Sequence, residues 1–448
     1  MHHADFAIIG SGQGGVALAT RLAQDGHNVY LFERRAWGGT CVNTGCIPSK
    51  TFLASAHAAA DARRAAALGV HAEVRVDFPA VMQRVRDSIQ PESLAYHLHD
   101  AGVHLVPATA EFVAQHTIRA NDTLVEADTI VINTGKSPAV PPIPGLADTP
   151  YLTYQTIWDL TERPDKLLIL GGGYTGLELA QGMQRLGCQV HVLEVHDRVA
   201  ADEERDVSQA LQAALAADGV TFHLSSQVRG VQHVNGLFML DVDTCVDPLI
   251  GNALLLAAGR RPDVEALNLA HWGIAQDDAG HVQVDEQFRT TVDGVYAIGD
   301  VTGQPAFTHV SWEDHRRLYA IWQGKARRRG DRVLGYAFFT APQVGRVGLT
   351  LPQAMAHGYD ARAVTLPLKK VSRAAATGRT DGFYRLVVDQ KSESILGATL
   401  VAPQAAELVH VILALMEAGA TWRVLERAQH IHPAYAEDLP TLARQLMA

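Results

Sequence analysis

A chain of 448 residues is long enough for roughly three domains of ~150 residues, each with its own core. Its 47% hydrophobic and 19% charged residues, with a mean hydropathy of zero, describe a globular protein in water. The net charge of −10 argues against nucleic acid or an anionic membrane as the main partner, and no apolar run approaches the ~18 residues of a membrane span.

Along the chain, "MHHADFAIIG" enters a strand-like segment at once, and four cysteines are too few for a secreted disulfide framework. The expected setting is a reducing cytoplasm. From Asp5, "DFAIIGSGQGGVALATRLAQDGHNVYLFER" reads as a strand, a G-x-G-x-x-G turn (Gly10, Gly12, Gly15), a helix, a turn glycine (Gly26) and a second strand ending in Glu33. From Lys166, "KLLILGGGYTGLELAQGMQRLGCQVHVLEV" repeats the pattern with Gly171, Gly173, Gly176, Gly187 and Glu194. Each acid falls 23 residues after the first glycine. This is the dinucleotide fingerprint: a tight turn, backbone close to a pyrophosphate at a helix N-terminus, and a carboxylate for ribose hydroxyls. Two copies imply two dinucleotides, and so electron transfer between them.

Between the copies lies "GGTCVNTGCIPSK" (38–50), which sets Cys41 and Cys46 five positions apart. In a regular helix such positions lie ~8 Å apart on different sides, too far for a disulfide. Asn43 and Gly45 allow a turn before a helix that Pro48 suits in its first turn. A cysteine at that N-terminus gains thiolate character from the helix dipole. Zinc needs around four ligands, and no second C-x-x-C or nearby histidine cluster is evident. Cys188 and Cys245 read as isolated residues of the second nucleotide domain. The basic run Lys325–Arg329 reads as a solvated surface stretch.

The remaining segments set the domain plan. "TIVINTGKSPAVPPIPG" (129–145) is a strand followed by a Pro-rich crossing, "ALLLAAGRRPD" (253–263) a second strand and exit, and "TTVDGVYAIGDVTG" (290–303) a strand ending at Gly299-Asp300. From about Val333, alternating runs such as "FYRLVVD" and the helix-like "AAELVHVILALMEAG" indicate an α+β unit. The expectation is an α/β chain with two Rossmann-like dinucleotide-binding domains and a C-terminal α+β domain. Its parts are a first dinucleotide-binding domain (1–143, completed by 263–332), a second (144–262) and the C-terminal domain (333–448).

These motifs in order, with Thr134-Gly135, Gly259-Arg260 and Pro262, Phe339-Thr340 and Pro342, and "HIHPAYAEDLP", resemble the class I pyridine nucleotide–disulfide oxidoreductases over nearly the whole chain. The resemblance implies FAD in the first Rossmann-like domain, NAD(P) in the second, and a C-terminal α+β dimerisation domain that forms a homodimer, each active site being completed by the other subunit's C-terminal domain. It implies that Cys46 is the thiolate facing the flavin and Cys41 the interchange thiol. Lys50 lies near the flavin and pairs with Glu178. FAD contacts fall to Gly10, Gly12, Gly15, Glu33, Thr40, Lys50, Ala110, Thr134, Gly135, Asp300 (the ribityl acid), Thr308 and His309. NAD(P) contacts fall to Gly171, Gly173, Gly176, Glu178, Glu194, Gly259 and Tyr174, the last either a gate over the nicotinamide pocket or a packing residue. His432 with Glu437 matches the family's acid–base pair, acting across the dimer, with interface packing as the other reading.

Glu194 would repel a 2′-phosphate, which puts NADH ahead of NADPH although Arg198 is near. Within the family, "FTHVSWEDHR" and "TLPLKKVSRA" look closer to bacterial reactive-chlorine-resistance, mercuric-reductase-like flavoproteins than to dihydrolipoamide dehydrogenase. That likeness implies oxidant defence with copper(II) reduction, the ion meeting Cys41 and Cys46 only as a transient substrate. Dihydrolipoamide dehydrogenase or another low-molecular-weight disulfide reductase is the alternative, and a redox-sensing scaffold a third.

Overall fold

A computed structural model describes residues 1–447. The first sheet is built on the strand His2–Ile9, which lies parallel to Val29–Phe32 on one side and to Thr123–Ile132 on the other. His104–Val106 extends the first edge in parallel, and Thr117–Ala120 and Glu111–Ala114 extend the other as an antiparallel flap. The far end of Thr123–Ile132 is also paired, in parallel, by Val295–Ala297 from much later in the chain. Strands covered on both faces read as unbroken apolar runs, and "TIVI" is such a run. Ile130, Val131 and Ile132 are each fully buried.

The second sheet repeats this winding with five parallel strands, in the order Thr221–His223, Gln189–Leu193, Lys166–Leu170, Ala253–Leu256, Leu152–Thr153. A three-stranded antiparallel layer, Val228–Gly251, covers one face. The third sheet is antiparallel throughout: Gly335–Phe338, Gln343–Gly348, Ile395–Ala402, Phe383–Asp389, Ala361–Pro367. The helix Ala405–Glu417 packs on it through Leu408, Val409 and Ile412. The overall class is the mixed α/β fold expected, with two parallel nucleotide-type sheets and an α+β unit at the C-terminal end.

Two helices after the first strands carry the fingerprints: α1 (Gln13–Gln24) and the Tyr174 helix (Tyr174–Arg185). Their turns demand glycine. Gly10 has φ +103°, and a Cβ there would lie 2.4 Å from the Asn133 carbonyl oxygen. The third glycines, Gly15 and Gly176, would each bring a Cβ within 2.2 Å of the carbonyl oxygen of the first.

The cysteine segment forms two helices, α2 (Gly39–Asn43) and α3 (Cys46–Arg64). The break at Thr44-Gly45 is therefore real. At Gly45 a Cβ would sit 2.9 Å from the Thr40 carbonyl oxygen. The Asn43 amide nitrogen donates to the carbonyls of Trp37 and Gly39, both at 2.9 Å, and the Trp158 indole donates to Thr44 O at 2.9 Å. These bonds fix the bend that sets the two thiols side by side. No helix among the described residues is long and apolar enough to cross a membrane.

Candidate redox site

Cys46 is the first residue of α3 and Cys41 the third of α2, both half-buried and not joined by a disulfide. The two thiols interact and are driven apart in acidity. Cys46 is held down to about 6, foremost by the bond from Cys41, then by the Thr308 hydroxyl and the Lys50 charge, against the opposing effect of burial. Cys41 is pushed up by its bond to Cys46 and by burial. The pair thus holds one proton and one negative charge near neutral pH, with the charge on Cys46. Thr308 Oγ1 lies 3.0 Å from Cys46 Sγ, brought there as the first residue of the helix Thr308–Trp322.

One turn beyond Cys46, Lys50 Nζ donates to Glu178 Oε2 at 2.8 Å. The Glu178 carboxylate is 4% exposed, and its other oxygen accepts the Phe339 N–H at 2.8 Å. The same Phe339 presents its ring to Lys50, with Nζ 4.5 Å from the centroid. So three segments meet here: α3, the Tyr174 helix and the loop 339–342 of the third sheet.

Around Tyr174 lies a wall of rings. Its centroid is 5.7 Å from those of Phe307 and Phe338, and Phe307 stacks on Tyr336 at 5.1 Å. The Tyr174 hydroxyl accepts from Arg260, whose guanidinium also lies 3.6 Å from Asp300 and bonds the Ala306 carbonyl at 3.2 Å. Burial raises the Asp300 carboxyl, opposed by the facing charges of Arg260 and Lys136. Arg260 entered the sequence reading only as part of a motif; its place between Tyr174 and Asp300 was signalled by nothing but the run "GRRPD".

A cleft on the first sheet is lined by Gly10, Glu33, Ala110, Thr134, Asp263 and Leu267. Thr134 Oγ1 is buried with no hydrogen-bond partner in the chain, as expected of a group that serves a ligand. Glu33 is fixed by the Ser11 N–H (3.0 Å), the Ser11 hydroxyl (2.7 Å) and the Arg35 N–H (2.9 Å). Glycine turns, an aimed carboxylate and this hydroxyl fit FAD. In the second fingerprint, Glu194 Oε2 accepts the Gly172 N–H at 2.7 Å, while Oε1 accepts the N–H of His196 (2.9 Å) and meets its Nδ1 (2.6 Å). Gly173 and Gly259 leave open space beside it.

Not all the named residues converge. His309 places its ring Nε2 2.6 Å from the Gly335 carbonyl oxygen, which ties that edge of the imidazole to the third sheet. His432 Nδ1 lies 2.8 Å from Glu437 Oε2, and Glu437 also accepts the Ala434 N–H at 3.3 Å. The His432 side chain is 76% exposed, presented outward on the third unit. Cys188 is buried, and Cys245 approaches only the His223 ring, at 4.0 Å.

Comparison with known proteins agrees with this geometry. Residues 4–314 match the model of pyridine nucleotide-disulphide oxidoreductases, and residues 335–443 match that family's dimerisation domain. The probable pyridine nucleotide-disulfide oxidoreductase RclA of Escherichia coli is 32% identical, with 97% of each chain covered. A mercuric reductase of Streptomyces lividans is 35% identical over 98% of this chain and 95% of the relative. The solved copper(II) complex of the HOCl-induced flavoprotein disulfide reductase RclA from Escherichia coli superposes with a TM-score of 0.89 at 31% identity, covering 100% of both chains.

Proposed function

The chain belongs to the pyridine nucleotide-disulphide oxidoreductase family, and from that premise we propose that it is an FAD-dependent NAD(P)H oxidoreductase whose Cys41–Cys46 pair reduces copper(II) in defence against reactive chlorine. The observation that carries this reading is the placement of Cys41 on α2 and Cys46 at the head of α3, with Thr308 Oγ1 3.0 Å from Cys46 Sγ and the Lys50–Glu178 pair one turn on. FAD held by the first fingerprint, Thr134 and Asp300 would supply the two-electron relay from nicotinamide to this pair.

The residues of the chain do the rest. Thr308 and Lys50 keep Cys46 ionised, and Cys41 keeps the proton until an acceptor takes electrons from the pair. The thiol–thiolate pair gives one electron to each of two copper(II) ions; two copper(I) ions, a Cys41–Cys46 disulfide and the one proton held by Cys41 result, and thiolates suit the softer product ion. Glu194 receives the ribose hydroxyls and makes NADH the preferred donor. Tyr174 leaves its contacts with Phe307 and Phe338 to admit the nicotinamide. In a homodimer, His432, oriented by Glu437, serves as general acid–base for the cysteines of the other subunit.

The test is an anaerobic titration with NADH and NADPH followed in the visible spectrum. A long-wavelength band at two-electron reduction, stronger preference for NADH, and reoxidation by copper(II) ahead of lipoamide and glutathione disulfide are expected. Bleaching of the flavin without that band would sink the redox role of the pair. Preferential reoxidation by lipoamide would replace copper with a disulfide as acceptor.

A further inference from the structure

Gln181 is fully buried yet polar, on the Tyr174 helix one turn past Glu178, and the chemistry above makes no use of it. Its carboxamide pairs with both backbone groups of Ala341, in the loop between two strands of the third sheet: the Ala341 N–H donates to Oε1 at 2.7 Å and Nε2 donates to the Ala341 carbonyl at 2.8 Å. Nε2 also donates to Asp218 Oδ2 at 2.8 Å, a carboxylate shared with Arg185 (2.7 Å) and Arg64 (2.6 Å). Both donors and the acceptor of the amide are therefore in use. A buried amide that lost these partners would leave polar groups unsatisfied away from water, so a position needed only for packing is better filled by an apolar residue.

What the amide grips is the loop that fixes Glu178. Ala341 follows Thr340, itself fully buried and donating to Pro342 O at 2.7 Å, and lies two residues after Phe339. Phe339 supplies both the N–H on Glu178 Oε1 and the ring under Lys50. On one helix face, then, Glu178 and Gln181 take alternate peptide groups of a single loop.

We propose that Gln181 is a positioning residue, which through the loop 339–342 holds the Glu178–Lys50 pair in its place beside the cysteines. The inference rests on the redox reading of Cys41 and Cys46. It makes the third unit part of the thiolate's environment and not only a dimerisation surface. The charged and polar groups facing Cys46 are Cys41 from α2, Lys50 from α3, Thr308 from its helix and Arg260 from the strand Arg260–Pro262. Of these, only Lys50 is reached through Gln181.

The experiment uses the full-length holoenzyme carrying Gln181→Met, which keeps the volume and removes the amide. FAD content and NADH binding should stay as in the wild type. The rate of flavin reduction should fall about tenfold, and the pH midpoint of the long-wavelength band should move upward by about half a unit as the Lys50 charge is held less well. Asp218→Asn, which leaves the Ala341 pairing intact, should move neither. A lowered melting temperature with unchanged rate and midpoint would overturn the proposal and leave Gln181 a packing residue. If Gln181→Met does not accumulate, Gln181→Asn, too short to span both Ala341 groups, is judged by the same two readouts. A wild type without the band would instead remove the redox reading on which the inference stands, and the proposal with it.

Discussion

Aligned on their first glycines, Gly10 and Gly171, the two fingerprints set Ser11 against Gly172, Gln13 against Tyr174, Ala17 against Glu178 and Thr20 against Gln181. The turns are nearly superimposable in their demands, with φ of +103° and +111° at the first glycine and the same 2.2 Å exclusion at the third. The helices that follow are employed differently. On α1 the residues facing inward, such as Leu18 and Ala19, are core. On the Tyr174 helix the matching stretch carries a phenol, a carboxylate and an amide, each bonded to a segment more than 80 residues away in sequence. The glycine scaffold fixes where a dinucleotide can lie; the helix surface behind it decides whether the turn is only a cradle or also part of a reaction site.

Substitutions at matched positions sharpen this contrast. Glu178→Ala should slow flavin reduction about 100-fold in stopped flow, by releasing Lys50, whereas Ala17→Ser at the matched position should leave the rate unchanged. Equal effects would show the helices to be equivalent. Next in size, Glu33→Ala should weaken FAD retention on dialysis about tenfold, while Glu194→Ala should retain FAD and raise the NADH KM about tenfold. Loss of FAD from the Glu194 variant would break the assignment of one dinucleotide to each repeat.

A swap inside the turns should do less. Gly172→Ser would bring a Cβ to 3.1 Å from Glu194 Oε2 and 3.3 Å from Val199 Cγ1, so the NADH KM should rise about threefold. The effect of pH is the smallest. The long-wavelength band should fade as pH drops through about 6, because Cys46 takes up its proton there. Lys50→Met removes a charge that lowers this value, so the midpoint should move up by about one unit.

The sequence displayed the parts of this fold that depend on neighbours in the chain. Both glycine turns, the carboxylates Glu33 and Glu194 and the helix break at Gly45 follow from local backbone rules, and the structure has each of them. The Lys50–Glu178 pair spans 128 positions and entered only through resemblance. Gln181 was missed, and Phe339 entered only as part of a motif without a role, because an amide on a helix and a phenylalanine in a loop give no pattern; their meaning arises from a pairing across 160 positions or more. His196 was missed for another reason. Its N–H meets Glu194 Oε1 just as the Arg35 N–H meets Glu33 Oε1 in the first repeat, but its ring adds a second contact through Nδ1 that spacing does not record.

The late strand Val295–Ala297 has a consequence for the order in which the molecule can be made. A ribosome delivers His2–Ile9 and Thr123–Ile132 early, yet their sheet is completed only after residues 133–294, including the whole second sheet, have emerged. The cleft on the first sheet likewise waits for Asp263 and Leu267. Units tend to fold as they appear during synthesis, so the inserted nucleotide unit is the first to close, and the unit that begins the chain finishes after it. A nascent chain halted before Asp263 therefore has a fingerprint but no finished cleft, and cofactor loading becomes a checkpoint on translation past the second sheet.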